Sequence, residues 1–199
     1  MTESASMKIE TPRLRIEAAE VRHAALHPPF FARNRAHFAR WEPPRPSGIE
    51  TAAYWMQQLE SAQEEFAERR GARLIAFARD ASEPRLLARV NFTQILRGPL
   101  QSCVLGYQID REFEGRGLMH EALATCIDFM FREFRMHRIQ AGFRVENARS
   151  ARLLARLGFE EIGIARDYLF IDGAWRDHVL VALTNRDFDE SVFAPPPTS

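Results

Sequence analysis

Apolar residues recur along this chain with two spacings, and the change between them marks out its elements. Val104, Leu105, Tyr107 and Ile109 are apolar and partly β-branched or aromatic, which predicts a buried strand. Gly115-Arg116-Gly117 interrupts that run. Beyond it, Leu123, Ile127, Met130 and Phe134 recur at steps of four, three and four, the stripe of a helix buried on one side. Upstream, Leu14 and Ile16 alternate with charges in a strand over 9–17, with Pro12 near its start. Residues 18–40 read as two short helices divided at Pro28-Pro29. The stretch 41–48, WEPPRPSG, reads as a loop whose prolines hold Trp41 and Glu42 extended. Ala52, Trp55, Met56, Leu59 and Phe66 share one face of a helix over 49–70.

Strand signals follow. Leu74, Ala76 and Ala78 alternate with Ile75, Phe77 and Arg79, and DASEP at 80–84 is a turn. A second strand covers 86–96, and Arg97-Gly98-Pro99 turns into a third over 102–109; the short links predict an antiparallel meander. After the central helix come a strand over 138–145 and a helix over 150–157 stopped by Gly158. Two last strands, 159–170 and 175–183, flank Asp172-Gly173, a strong hairpin signal. The pattern predicts an α/β chain with a mixed, mainly antiparallel sheet. It has one domain over 8–186, a disordered start over 1–7 and a loose, proline-rich tail over 187–199.

Composition narrows the function. The 199 residues carry 27 basic and 27 acidic side chains, which argues against a protein that holds nucleic acid by net charge. No apolar run approaches membrane-spanning length and no signal-peptide core is evident, so a cytoplasmic chain without a membrane partner is expected. Cys103 and Cys126 fall on a strand and a helix and read as buried thiols. The histidines show no ligand spacing with them, so no metal is expected.

The glycine turn is the first candidate for chemistry. It would deliver unpaired backbone N–H groups at a helix N-terminus, where a phosphate is favoured and glycine permits close approach. A dinucleotide fingerprint would need a third glycine at His120, and a phosphate-binding Walker loop would need different spacing and a Lys-Ser or Lys-Thr pair. From the loop alone, a bare strand-to-helix turn stays open beside a pyrophosphate site.

Further stretches bear on that choice. Asn147-Ala148-Arg149-Ser150 opens a helix that ends in Leu157-Gly158-Phe159. Together with the glycine turn this resembles the GNAT acetyltransferases. Over 11–183 the chain is similar to their RimJ branch, which acetylates the N-terminal alanine of a small-subunit ribosomal protein. The resemblance rests on TPRLRI (11–16), RWEPPR (40–45), VNFTQILRG (90–98), LGYQI (105–109), GRGLMHEAL (115–123), HRI (137–139), LLARLGFE (153–160) and DYLFIDGAWRDHVL (167–180).

The resemblance implies acetyl-coenzyme A as acyl donor and a central strand pair that splays into a slot. Gln108, Ile109 and Asp110 would face the pantetheine arm, Gly115, Arg116, Gly117 and Leu118 would cap the pyrophosphate, and Asn147 would reach the cofactor from the other arm. Arg116 could equally be a solvated side chain. Glu112 stands where relatives often have Gln or Arg, so its side chain should point away from phosphate. Leu154 stands where many relatives have a tyrosine that protonates the departing thiolate. Ser150 would substitute as acid, or be the N-cap of its helix. Glu42 is the candidate base, or a loop carboxylate. Glu121 reads as a partner of the helix dipole or of an arginine. Trp41, Asn91, Tyr168 and Asp177 are candidates for the acceptor groove, and His178 reads as structural. Direct transfer in a ternary complex is expected, with a ribosomal protein N-terminus as acceptor, the small subunit as a candidate partner, and a monomer or homodimer as the assembly. A small-amine or antibiotic acetyltransferase, and a ribosome-assembly factor with Arg35, Arg40 and Arg45 facing RNA, remain alternatives.

Overall fold

The structure is a computed structural model that describes residues 7–81 and 83–193. Of the start expected to be disordered over 1–7, residues 1–6 lie outside the described residues, as does the end of the tail over 194–199; Met7 is buried, and its carbonyl accepts from Ala18 N at 3.0 Å. Eight strands form one sheet: β1 (Lys8–Glu10), β2 (Leu14–Ala18), β3 (Ala72–Ala78), β4 (Ala88–Leu96), β5 (Ser102–Ile109), β6 (Arg138–Arg144), β7 (Glu160–Ile171) and β8 (Ala174–Thr184). Their spatial order is β1-β2-β3-β4-β5-β6-β8-β7, and every pair is antiparallel except β5–β6. The predicted strand over 9–17 is in fact two strands folded on each other, with Ile9 opposite Ile16. Pro12 sits in the turn between them, where its missing N–H costs no ladder bond.

Helices cover both faces: α1 (His27–Phe38), α2 (Ala52–Ala67), α3 (Leu118–Arg132) and α4 (Ala148–Arg156). Pro28 and Pro29 do not split two helices. They occupy the first turn of α1, directly after a 3₁₀ turn over Val21–Leu26, where their absent N–H groups would have had no intrahelical acceptor. Thr51 caps α2, its hydroxyl accepting from Tyr54 N at 3.3 Å. Met56 of the predicted apolar face is 47% exposed, while Trp55, Leu59 and Ala62 are buried.

β3 is buried on both sides, and its period of two sends side chains into two cores. Leu74 and Ala76 join a cluster with Val90, Phe92, Cys103, Leu105, Leu123, Cys126, Met130 and Leu154, beneath α3 and α4. Ile75 and Phe77 join Phe30, Phe31, Phe38, Trp55 and Leu59, beneath α1 and α2. The stripe predicted for α3 is the side that meets the first core, and Phe134 follows it in, just past the helix end. Cys103 and Cys126 are free and buried there.

The joint between β5 and β6 positions the site. Ser102–Leu105 pair with Arg138–Ala141, and then the pairing stops. β5 continues along β4 until Ile109 faces Ala88, and β6 continues along β8 until Arg144 faces His178. The two central strands therefore diverge after Leu105, as the resemblance implied.

Candidate active site

A cleft of about 1210 Å³ opens between the diverging strands, lined by Gly106, Tyr107, Gln108 and Ile109 from β5 and by Gly142, Phe143 and Arg144 from β6. At one end lies the glycine turn. Gly115 and Gly117 both have φ of +74°, in the left-handed region, and a Cβ at Gly115 would meet nothing within 4 Å. Gly117 is the N-cap of α3, so the first N–H groups of α3 have no acceptor within the helix. The turn is braced from behind. Arg13 donates to the Arg116 carbonyl oxygen at 2.8 Å and to Glu121 at 2.6 Å, and the Thr11 hydroxyl donates to Glu121 at 2.6 Å. Burial alone would raise the Glu121 carboxyl, but these bonds from Thr11 and Arg13 hold it below the usual range. Glu121 thus fixes the start of α3. The exposed Arg116 side chain lies 5.6 Å from the Phe113 ring and outside the cleft wall.

One expectation for this end changes, that of Asp110, while Glu112 points where it was expected to. Asp110 is buried and does not line the cleft. Its carboxylate accepts from Arg33 and from Arg85 (2.9 Å), and its N–H donates to the Leu87 carbonyl at 2.8 Å. Burial would raise its pKa, but the two guanidinium bonds keep it low. Asp110 is a structural anchor with no group left for pantetheine. Glu112 is drawn to Arg85 at 2.5 Å, away from the turn. Glu114, which sequence reasoning missed, lines the cleft, accepts from His37 at 2.9 Å and pairs with Arg149, so it ties α1 to α4.

On the far wall α4 begins at Ala148, two residues earlier than predicted, and Asn147 is its N-cap. The Asn147 side-chain oxygen accepts from Ser150 N at 3.1 Å. Ser150 is therefore not the cap. Its hydroxyl is hydrogen-bonded to Tyr107 Oη at 2.8 Å. Leu154 is buried in the first core and has no proton to give.

On the α1/α2 side the loop over 41–48 reaches the same cleft. Trp41 and Glu42 are not extended: their N–H groups donate to the Phe38 carbonyl at 2.8 and 3.0 Å, a turn that closes α1. The Trp41 ring meets the guanidinium groups of Arg40 and Arg144, at 5.2 and 5.6 Å from its centre. Glu42 accepts from Gln108 Nε2 and faces Arg45 at 3.5 Å. Gln108 in turn accepts from Arg89 at 2.8 Å. Burial raises the Glu42 carboxyl above the usual carboxylate range, against the hydrogen bond from Gln108 and the charges of Arg45 and Arg89. Arg89 is buried under the Phe31 and Trp55 rings, and that burial lowers its pKa to about 10. Asn91 also lines the cleft, with a buried Oδ1 that has no partner among the described residues.

A second hollow of about 660 Å³ lies beyond Glu42, between the 42–51 loop and the hairpin tip at Asp172-Gly173. Glu42 lines both hollows. Tyr168 and Asp177 line neither. Tyr168 is 47% exposed and its ring lies tilted against that of His178 at 5.4 Å, and Asp177 pairs with Arg166 and accepts from Asp167 N at 3.0 Å. The bond from Asp167 N and the Arg166 charge keep the Asp177 pKa low. His178 is buried, with Nδ1 against the Arg176 carbonyl at 2.9 Å, and it borders the cleft. Among the described residues no cluster of three His, Cys, Asp or Glu could hold a metal, and no helix is long and apolar enough to cross a membrane.

Residues 13–160 match the model of the acetyltransferase (GNAT) domain. The chain is 38% identical to the [ribosomal protein uS5]-alanine N-acetyltransferase of Escherichia coli K12 over 182 residues, 92% of this chain and 93% of that one. It superposes on the ribosomal-protein-S5-alanine acetyltransferase of Vibrio fischeri with a TM-score of 0.88 at 33% identity, covering 92% of this chain and 99% of that one. The RimJ protein of Mycobacterium smegmatis, solved with CoA-disulfide, matches with a TM-score of 0.80 at 27% identity over 90% and 86% of the two chains.

Proposed function

We propose, from the premise that the chain belongs to the GNAT acetyltransferase family, that it moves an acetyl group from acetyl-coenzyme A to the N-terminal alanine of a small-subunit ribosomal protein, the uS5 named for its relatives. The observation that carries this reading is the placement of Glu42. It is a half-buried carboxylate in the wall shared by the cleft and the second hollow.

The cleft suits the acyl donor. The first N–H groups of α3 and the open space at Gly115 would take the pyrophosphate, and the unpaired edge of β5 at Gln108 and Ile109 would take the pantetheine arm. Gly117, Leu118 and Asn147 border the same path. The second hollow suits an extended peptide entering from the opposite side, with its amine reaching Glu42. Trp41 and Asn91 line the cleft on the same side as Glu42.

The amine must be neutral to attack. An α-amino group titrates near 8 and a lysine near 10.4, so the neutral form costs about 1 kcal/mol for the first and about 4–5 for the second at pH 7. A carboxylate made more basic by burial is sufficient for the first case, and Glu42 has that environment. Ser150, on the other wall, gives a proton to the sulfur as the C–S bond breaks. No acetyl-enzyme is required: the Cys103 thiol is pushed up to about 12 by burial, and Cys126 is raised further. Of the three arginines considered for RNA, Arg35 pairs with Glu50, Arg40 lies over the Trp41 ring, and Arg45 faces Glu42 and the Phe31 ring.

Incubation with labelled acetyl-coenzyme A and alanine-start peptides, spermidine or an aminoglycoside tests the reading. Labelling of peptide alone is expected. Labelling of spermidine or the aminoglycoside in its place, or ribosome binding without turnover, overturns it.

A further inference from the structure

Where many relatives carry a tyrosine on α4, this chain has the buried Leu154, yet a tyrosine hydroxyl still reaches the slot. Tyr107 belongs to the unpaired part of β5, two residues past the last contact with β6. Ser150 lies in the first turn of α4, on the opposite arm. Their hydroxyls meet at 2.8 Å, so the pair spans the gap between the diverging strands, and both residues line the cleft.

We propose that Tyr107 is the positioning residue that makes Ser150 a proton donor to the leaving thiolate; this rests on the assignment of Ser150 as the acid. A serine hydroxyl in the first turn of a helix is free to rotate, and its proton has no fixed direction. The shared hydrogen bond removes that freedom. Each hydroxyl carries one proton and the bond between them uses one, so the pair retains one proton for the slot. With Tyr107 Oη donating to Ser150 Oγ, the remaining proton is that of Ser150. The Ser150 backbone N–H is already committed to Asn147, which fixes the serine from its other side. Burial pushes the Tyr107 phenol up to about 12, against the opposing effect of the Ser150 bond, so the tyrosine keeps its proton throughout the working range of pH.

As the C–S bond breaks, its electron pair stays on sulfur and Ser150 Oγ–H supplies the proton. The amine nitrogen forms the amide bond as its proton passes to Glu42, and between turnovers Glu42 releases that proton to solvent while solvent returns one to Ser150.

Steady-state kinetics of Tyr107→Phe, Ser150→Ala and the double variant provide the test, using whichever acceptor the wild type turns over, peptide or spermidine. Tyr107→Phe keeps the ring in the core and deletes only the hydroxyl. We expect kcat to fall about tenfold, the scale of one hydrogen bond, with the KM for acetyl-coenzyme A unchanged and the Tm lowered by about 2–4 °C at most. Ser150→Ala should cost at least as much, and the double variant no more than Ser150→Ala alone. A Tyr107→Phe enzyme with wild-type kcat overturns the proposal, as does a loss seen only in KM or Tm. An equal further loss in the Ser150→Ala background also overturns it, because Tyr107 would then act without the serine. A Ser150→Ala enzyme of full activity removes the acid assignment itself, while acetyl transfer to alanine peptides by the wild type would leave the proposed function standing.

Discussion

Tyr107 and Gln108 are consecutive on β5, and the period of a strand sends them to opposite faces of the sheet. The two faces offer different chemistry. On the α1/α2 side, Gln108 belongs to a charged chain, Arg89–Gln108–Glu42, packed on the Phe31 and Trp55 rings. On the α3/α4 side, Tyr107 belongs to a neutral one, Tyr107–Ser150, beside a glycine turn whose donors are main chain. A proton acceptor needs a carboxylate kept basic by desolvation, whereas a proton donor to a thiolate needs a hydroxyl that stays neutral. In contact, the two groups would satisfy each other. The sheet keeps them apart and leaves the slot as their common ground.

The strongest way to break that comparison is to remove the base. Glu42→Gln keeps the size of the side chain and deletes the proton acceptor. Its kcat is expected to fall about 10²- to 10⁴-fold, the usual range for a general base, with the KM for acetyl-coenzyme A unchanged. The wild-type rate should fall as pH drops through the raised Glu42 pKa, because the protonated carboxyl cannot accept, and Glu42→Gln should lose that limb. An unchanged kcat eliminates the assignment. A weaker effect is expected on the neutral side. Arg13→Ala removes the charged hydrogen bonds to the Arg116 carbonyl and Glu121 without touching the slot. Such bonds contribute about 1.5–3 kcal/mol when shielded, but the Arg13 side chain is half-exposed and solvent discounts them, so the KM for acetyl-coenzyme A should rise a few-fold, up to about tenfold, while kcat holds. A fall in kcat at constant KM would show that the brace acts on chemistry instead.

The charged face should also carry an acid sensitivity that the neutral face lacks. His27 is buried against Trp55 at 4.2 Å, with Nε2 unpartnered among the described residues. Burial, then the nearby Arg89 charge, lowers its pKa from 6.5 to about 3, against the bond to the His23 carbonyl. The unfolded chain binds this proton first as pH falls. The stability from neutral His27 is therefore complete above pH 6.5 and is withdrawn as pH drops from 6.5 toward 3. Glu42, whose folded pKa is raised, works in the opposite sense, gaining stability as pH falls. Melts between pH 7.5 and 4.5 should show a shallower fall for His27→Phe than for the wild type; parallel curves would sink the idea. Changing both Cys103 and Cys126 to Ala should cost about 1–3 kcal/mol of stability from the lost packing and leave kcat intact; a folded but inactive variant would point to an acetyl-thiol step.

The parts that were legible in the sequence are those set by local rules. The stripe of α3, the Asp172-Gly173 turn and the alternation of β3 follow from periodicity and backbone preference, and all three stand. The glycine turn was readable for the same reason, since φ of +74° is a local demand. What sequence left open depends on partners far along the chain. Ser150 read as acid or cap, and only the placement of Asn147 one position before α4 decides against the cap. Asp110 read as part of the slot, and only Arg33, 77 positions earlier, reveals it as an anchor. Arg89 carried a faint signal, a charge inside the apolar run LLARVNF, but the rings that bury it lie on α1 and α2. Tyr107 passed as one more core aromatic of LGYQI because its partner is 43 residues downstream.

The smallest expected effect is at Asp177, where sequence similarity and position disagree. The closing motif from Asp167 to Leu180 is among the more specific stretches of the resemblance, and a carboxylate there could hold a cationic N-terminus. Yet Asp177 borders neither hollow, and both of its oxygens are occupied, one by Arg166 and the other by Asp167 N. Asp167 has φ of 47°, so the carboxylate fixes an irregular step within the register shift between Ala165 and Leu169 of the β7–β8 ribbon. Its work is to shape that bend, and surface ion pairs of this kind contribute little. Asp177→Asn retains an oxygen for the Asp167 N–H while deleting the charge. The KM for an alanine-start peptide and kcat should both remain at wild-type values, at low salt as well as high. A rise in peptide KM that salt suppresses would place the acceptor along β7–β8 and move the peptide path out of the hollow beside Glu42.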